Sequence, residues 1–335
     1  MPVADVLISI VNHENRELVR ACLLSLPAAC DGVAWEVTVV DNVSGDGSLE
    51  MLDRWFPEVR VIANRGRLGF GANHNQVLRP LIADPARPAH AARPAHRPRY
   101  VLILNDDTTL RAAAVTRMVE LLDANPTMAA VVPTILDEEG RAGASRIAYP
   151  DARSAWRCDW TDRTEGPDPD GFLQGCCLLL RVSAITEVGP FDERFFLFYE
   201  DTDLSRRLAD AGWSLGVCPE AEVVHVGHAS VFKPGLAEVT PKQGHRSRYL
   251  YLRKHEGWAR AELVTLVGRV LLLVRAAKAT AGATLRHNPN SSDRARRLLA
   301  LARLNPRHPI PPDPLAAAPA RGGARGDVAT RPGRR

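Results

Sequence analysis

Short unbroken apolar runs alternate with amphipathic stretches through the first two-thirds of the chain. Val6–Val11 (VLISIV), Glu36–Val40 (EVTVV), Val59–Ala63 and Tyr100–Leu104 (YVLIL) have the length and β-branched content of strands buried on both faces. Leu18, Cys22 and Leu26 recur at helical spacing up to Pro27, which is expected to stop that helix. Further helices are expected through Trp55, after the glycine-rich turn Asn64–Asn75, over Ala112–Ala124 and, briefly, over Ser183–Val188. Strands are expected again at Ala129–Ile135, Gly171–Leu180, Ser214–Cys218 and Glu222–Val226. This alternation predicts an α/β fold: a Rossmann-like, mostly parallel central sheet flanked by helices. In such sheets ligands bind outside the carboxyl ends of the strands. Polar clusters follow the second, third and fourth strands at that end: Asp41–Ser48, Asn64–Asn75 and Asn105-Asp106-Asp107.

Other stretches break the pattern. Ala83–Arg99 is rich in Pro, Ala, Arg and His with no apolar face, and reads as a flexible insertion; His90 and His96 within it do not make a metal tract. Arg141–Asp170 is polar and irregular, with Trp156 and Trp160 as exposed candidates in a mobile loop. Ala261–Leu285 is the most apolar stretch, but Arg269, Arg275 and Lys278 interrupt it, and a bilayer span needs about 20 apolar residues. It reads either as an amphipathic helix on an anionic membrane surface or as a helix packed on the preceding domain with a solvated basic face. The expected organisation is a ligand-binding domain over 1–240, a basic amphipathic helical appendage over 241–305, and a disordered tail over 306–335.

Charge sharpens that division. Residues 1–241 hold 23 Lys+Arg against 34 Asp+Glu, a balance of −11, whereas 242–307 hold 15 against 3, a balance of +12. An acidic body and a basic appendage imply different partners. No nucleic-acid recognition motif accompanies the basic stretch, so nucleic acid is not expected as a partner. The opening residues run straight into a strand with no secretory leader, and the 6 cysteines show neither CxxC nor zinc-like spacing. Free thiols in a cytoplasmic setting follow, with Cys176-Cys177 as core.

Candidate chemistry centres on Val188–Ala211. Phe195, Phe196, Phe198 and Tyr199 lead into Glu200, Asp201 and Asp203 at a helix start. Acids there complement the helix dipole, which accounts for Asp203. Large rings directly before Glu200 and Asp201 would desolvate a carboxylate and make it a better proton acceptor. Asp106 and Asp107 are neighbouring carboxylates after a buried strand, and a cation would relieve their repulsion; Mg²⁺ and Mn²⁺ typically take one or two carboxylates plus substrate phosphates. His225 ends a strand and would complete such a site. The first turn lacks GxGxxG, which disfavours a dinucleotide-binding oxidoreductase.

Five ordered motifs together resemble one family. They are Asp41–Ser48 (DN-x-S-x-D-GS), Asn64–Asn75 (N-x-G-x-x-GFG-x-N-x-N), Asn105-Asp106-Asp107 as a DXD-type element, Gly189–Leu204 (G-x-FDERFF-x-x-YEDTDL) and His225–Ser230 (H-x-G-x-x-S). Over about residues 5–235 the chain resembles bacterial family 2 inverting glycosyltransferases of GT-A fold, close to the rhamnosyltransferase-like group. The resemblance implies that Asp41 and Asp46 contact the nucleoside, and that Asn64, Phe70, Gly71 and Asn73 shape the nucleotide pocket. It implies that Asp107, with Asn105 or Asp106, and His225 bind Mg²⁺ or Mn²⁺ on the donor diphosphate; Asn105 replaces the usual first Asp, which weakens metal dependence. Asp201 would be the general base and Glu200 would orient it or the acceptor. The implied partners are a nucleotide-diphosphate sugar, such as dTDP-rhamnose or a UDP-sugar, and a glycan or lipid-linked acceptor of cell-envelope polysaccharide synthesis. The implied location is cytoplasmic, or peripheral at the inner face of the plasma membrane. Two other functions share parts of the pattern. A sugar-nucleotide nucleotidyltransferase would carry a basic glycine-rich first turn, which Ile10–Asn15 lacks; a non-catalytic binding module would have lost Asp107 or Asp201.

Overall fold

The computed structural model describes residues 4–82, 97–150, 170–227, 239–286 and 289–307. Chain order begins β1 (Val6–Asn12), α1 (Arg16–Ala29), β2 (Trp35–Asp41), α2 (Ser48–Trp55), β3 (Arg60–Ala63), α3 (Phe70–Ile82) and β4 (Tyr100–Asn105). It continues with β5 (Thr108–Leu110), α4 (Ala114–Ala124), β6 (Met128–Leu136), β7 (Arg146–Ile147), β8 (Phe172–Leu173) and β9 (Cys177–Arg181). α5 (Val182–Val188), α6 (Glu200–Asp210), β10 (Ser214–His225), α7 (Val239–His255), α8 (Trp258–Arg286) and α9 (Pro289–Arg303) complete it.

Eight strands form one sheet in the order β3-β2-β1-β4-β9-β6-β10-β5, and β7 pairs with β8 apart from it. β1, β2, β3 and β4 pair in parallel, as do β6 and β10, while β9 runs antiparallel to both β4 and β6. Because β9 reverses direction between them, β6 and β10 point the same way as β1–β4. Six carboxyl ends therefore share one edge, and the amino end of β9 lies among them. β1 is followed by β2 on one side and has β4 on the other, so the strand order switches between β1 and β4, where α/β sheets open a ligand crevice.

The predicted buried runs are the core: Ile8, Ile10, Val39, Leu102 and Leu104 are fully enclosed, with Leu26, Leu52 and Met118 from the flanking helices. A second cluster on the other face joins Val101, Ile103, Leu178 and Leu180 to Leu204 and Leu208 of α6. Three boundaries differ from expectation. α1 continues past Pro27 to Ala29, because a proline in the last turn forfeits one bond and the Cys30 N–H still reaches Leu26 O. Gly171–Leu180 is not one strand: β8 pairs with β7, and only the part from Cys177 enters the main sheet. Ser214–Cys218 and Glu222–Val226 are one strand, carried through an irregularity between Cys218 and Glu222.

The basic region is helical, and it is tied to the acidic turn before α6. Phe195 packs with Tyr249, Tyr251, Leu252, Ala261 and Val264 in a third apolar cluster, with Tyr199 against it. Among the described residues no helix is long and apolar enough to cross a membrane. The insertion expected at 83–99 falls mostly outside the described residues, as do Trp156, Trp160, His228, Ser230, Cys158 and the tail from 308.

Candidate active site

The first wall of the crevice is made by strand ends. Asp41 closes β2, fully buried, and accepts from Asn12 Nδ2 (2.9 Å) and the Ser44 N–H (3.0 Å). Asn12 Oδ1 is itself buried and accepts no hydrogen bond from the described residues. Asp106 Oδ2 accepts from the His13 N–H (3.2 Å) and Asn15 Nδ2 (3.0 Å), so this carboxylate braces the β1–α1 loop at the switch point. Asp46 stands at the N-termini of two helices: its oxygens take the Arg16 N–H (2.8 Å) of α1 and the Ser48 N–H (3.1 Å) of α2. Burial pushes Asp46 up, but the Ser48 hydroxyl and these amides hold it below the usual carboxylate range.

The loop after β3 is held by an asparagine relay. Asn64 Nδ2 donates to Asn73 Oδ1 (2.6 Å) and Asn42 Oδ1 (3.2 Å), and Asn42 pairs with both backbone groups of Leu68. Asn73 Nδ2 in turn holds the carbonyls of Leu68 and Gly69. The Phe70 N–H donates to Phe196 O (2.9 Å), which brings this loop against the acidic turn. Phe70 also stacks edge-on over His74 at 4.5 Å. A Cβ on Gly71 would lie 2.7 Å from Phe191 Cβ, so only glycine lets α3 approach the Phe191 segment this closely.

Asn105, Asp107 and His225 converge at the next strand ends. β5 pairs with β10 so that Thr108 faces His225, and the Val226 N–H donates to Asp107 O. His225 Nε2 lies 3.1 Å from Asp107 Oδ1 and 3.3 Å from Asn105 Nδ2. Burial alone would lower the imidazole, but Asp107 and Cys176 beside it lift it to about 10. Burial raises Asp107, and its contacts with His225 and Asn105 outweigh that, leaving it below the usual range. A carboxylate, an imidazole and a carboxamide make a donor set that fits Mg²⁺ or Mn²⁺. Among the described residues no group of three or more His, Cys, Asp or Glu could hold an ion. The chemistry therefore fits a cation shared with a substrate phosphate better than an all-protein cage.

Glu200 and Asp201 open α6, both buried. Asp201 Oδ1 accepts from the Thr202 N–H (2.7 Å), and Oδ2 from the Gly175 N–H (3.1 Å). Directly before them, Phe198 and Tyr199 have φ of 67° and 69°. That left-handed region costs a non-glycine residue on the order of 1–3 kcal/mol and persists only where the surroundings enforce it. Here α7 does so: Ser247 Oγ donates to Leu197 O (2.8 Å), and Tyr251 stacks on Tyr199 at 5.8 Å. Two of the four rings expected to desolvate the acids thus pack into the α7 cluster instead. Asp203 is fully buried between Arg207 (2.9 Å), Lys254 (2.6 Å) and His255 (2.7 Å), an ion cluster locking α6 to α7 beyond its expected role at the helix start.

Gly175 and Cys176, just before β9, join the two acidic groups. The Gly175 N–H holds Asp201, while Cys176 O accepts from the Asn105 N–H (2.9 Å) and Cys176 flanks His225. Cys176 is core, as the sequence implies, but neither it nor Gly175 is expected at the site from sequence, and Asn12 and Asn42 carry no expected role of their own. Asn12 had a readable signal, since it ends a buried strand as Asp41 and Asn105 do. Gly175-Cys176 had none, because its position depends on β9 running backwards.

A mixed sheet with carboxylates on its carboxyl edge is the GT-A arrangement, and comparison with known proteins agrees. The family model described as "Glycosyl transferase family 2" matches residues 5–189, and "Glycosyl transferase family group 2" matches 100–284. The chain belongs to glycosyltransferase family 2. It is similar to the N-acetylglucosaminyl-diphospho-decaprenol L-rhamnosyltransferase of Mycobacterium tuberculosis, 31% identical over 68% of this chain and 78% of that one. It is also similar to rhamnosyltransferase WbbL of Escherichia coli, 23% identical over 67% of this chain and 84% of that one. In structure it resembles the mannosyltransferase of Pyrobaculum calidifontis in complex with GDP-Man and Mn²⁺, with a TM-score of 0.51, 16% identity, and coverage of 90% of this chain and 86% of that one.

Proposed function

We propose that this family 2 glycosyltransferase is an inverting, metal-dependent enzyme. It moves a hexosyl group, dTDP-rhamnose or a UDP-sugar being the donor, to a hydroxyl of a lipid-linked glycan in cell-envelope synthesis. The rhamnosyl group rests on the similarity to the two rhamnosyltransferases, and the lipid-linked acceptor on the name of the mycobacterial one. The observation that carries the reading is the Gly175-Cys176 joint, whose Gly175 N–H holds Asp201 and whose Cys176 carbonyl holds the backbone of Asn105 at the end of β4.

In this reading Asp41, Asn12 and the Asn42–Asn64–Asn73 relay form the nucleoside end of the crevice, with Phe70 and Gly71 shaping it. Asp46 and Asp106 act by fixing the loops around the donor. Asp107, with His225 and Asn105, would hold Mg²⁺ or Mn²⁺, which when bound neutralises charge on the departing diphosphate. Asp201 takes the proton of the acceptor hydroxyl as its oxygen bonds to the anomeric carbon; the bond to the diphosphate oxygen breaks, and the nucleotide leaves with that electron pair. Glu200 orients the acceptor. The Gly175 N–H and the N-terminus of α6 fix the carboxylate of Asp201 in place, so positioning supplies part of the acceleration. The chain would act at the inner face of the plasma membrane, where lipid-linked acceptors are held.

The test is the anomeric configuration of the product, read by NMR after transfer from an anomerically pure donor with Mn²⁺ or with chelator. Inversion that needs the ion supports the reading. Retention, or equal rates in chelator, overturns the mechanism while leaving the family intact.

A further inference from the structure

α8 is apolar on two sides. Ala261, Val264, Leu272 and Ala276 are buried, and the helix packs against α7 and α9. On the other side Leu263, Leu266, Val270, Leu273 and Val274 are between 46% and 60% exposed, and Trp258 at the helix start is 65% exposed. The spacing of i, i+3, i+7, i+10 and i+11 puts the five aliphatics on one stripe, about 17 Å long at about 1.5 Å per residue. A contiguous exposed stripe of this kind marks an interaction surface.

The surrounding charge selects the occupant. Residues 242–307 carry 15 Lys+Arg against 3 Asp+Glu. Two of those acids are already engaged, Glu256 by Arg260 and Glu262 by Arg307. Arg253, Lys278, Arg294, Arg296 and Arg297 are exposed around the helices. A second copy on this face would set one strongly cationic region against another. An apolar stripe within a region of this cationic excess instead matches the boundary between headgroups and acyl chains of an anionic bilayer.

We propose that α8 lies in the interfacial plane of an anionic membrane, with Leu263, Leu266, Val270, Leu273 and Val274 inserted and the basic helices α7 and α9 over the headgroups. The two readings open for this stretch from sequence thus divide between two faces of one helix. The inference does not rest on the transferase reading, because the stripe lies outside the strand-end site.

The test is co-sedimentation of the full chain with vesicles of phosphatidylcholine alone, or of phosphatidylcholine with phosphatidylglycerol, at low and high salt. The expected result is binding to the anionic vesicles only, weakened by salt and at least tenfold weaker in Leu266→Gln/Val270→Gln/Leu273→Gln. Asp201→Asn should bind like wild type, so a failed transferase reading would leave this result standing. Circular dichroism and Tm verify the fold of the triple variant; if it unfolds, Leu266→Gln alone is measured, with at least a threefold loss expected. No vesicle binding by wild type, or undiminished binding by the folded variant, overturns the proposal. A wild-type dimer that the variant makes monomeric, without vesicle binding, assigns the stripe to a second copy and also overturns it.

Discussion

The backbone N–H of Gly175 donates to Asp201 Oδ2 at 3.1 Å, and a Cβ at Gly175 would lie 3.1 Å from Asp201 Cβ and 3.5 Å from Oδ2. The candidate base is thus held by a residue at which even a methyl group would be tight. Gly175→Ala should push the carboxylate aside by a few tenths of an ångström; a misplacement of about 1 Å costs about 100-fold, so kcat should fall by about 2–10-fold. Donor Kd should stay within about twofold, because Asn12, Asp41 and the asparagine relay are untouched. Steady-state kinetics beside calorimetric donor binding read the two separately; a parallel loss of donor binding would place Gly175 in the donor pocket instead.

Asp107 and His225 should govern how the donor is bound in the presence of a divalent ion. Asp107→Ala is expected to remove the dependence of donor binding on Mn²⁺. His225→Asn, which removes the imidazole from the proposed ion-holding set, should weaken metal-dependent binding by at least about 10-fold. Donor titrations with and without Mn²⁺ check both. Unchanged Mn²⁺ dependence in Asp107→Ala would move the ion elsewhere.

Asp203 should matter to stability before it matters to chemistry. It is fully buried against Arg207, Lys254 and His255, and removing one partner from a buried ion cluster costs about 3–5 kcal/mol. Asp203→Asn should therefore lower Tm by several degrees and loosen α7 from the turn before Asp201. Thermal unfolding at neutral pH measures this, and a Tm equal to wild type would show that the cluster contributes no net stability.

The same cluster sets a direction for pH. Burial raises Asp203, but His255, Lys254 and Arg207 hold it below its unfolded value; Asp192 is likewise held well below its own, by Arg194 and Lys254 against its burial. Carboxylates depressed on folding contribute stability that is complete above their unfolded pKa, about 4. That contribution is lost as pH falls through the folded values. Denaturant midpoints should thus be level from about pH 7 to 5 with respect to these groups and fall below about pH 4, less steeply in Asp203→Asn. An equal slope in the variant would exclude Asp203 as a source.

Much of the sheet is legible in the chain because VLISIV, EVTVV and YVLIL are buried on both faces, and such strands announce themselves as continuous apolar runs. The polar residues that end them are legible for the same reason. What the pattern hides is relational. Nothing local shows that β9 runs backwards between β4 and β6, yet that reversal brings Gly175 and Cys176 to the site. Nor does helical spacing in Val239–His255 reveal that Ser247, Tyr251 and Lys254 brace the strained turn at Phe198-Tyr199. The boundary expected at residue 240 passes between residues that pack together.

The most direct measurement is donor binding and sugar transfer by wild type and Asp201→Asn, across dTDP-rhamnose and a set of UDP-sugars, with Mn²⁺ or Mg²⁺. One donor should bind both proteins with similar Kd in the presence of the ion, with transfer reduced in the variant by about 10²–10⁴-fold, the range of a general base. Transfer by Asp201→Asn at the wild-type rate would contradict the assignment of the base, and failure of every nucleotide sugar to bind would contradict the proposed donor site itself.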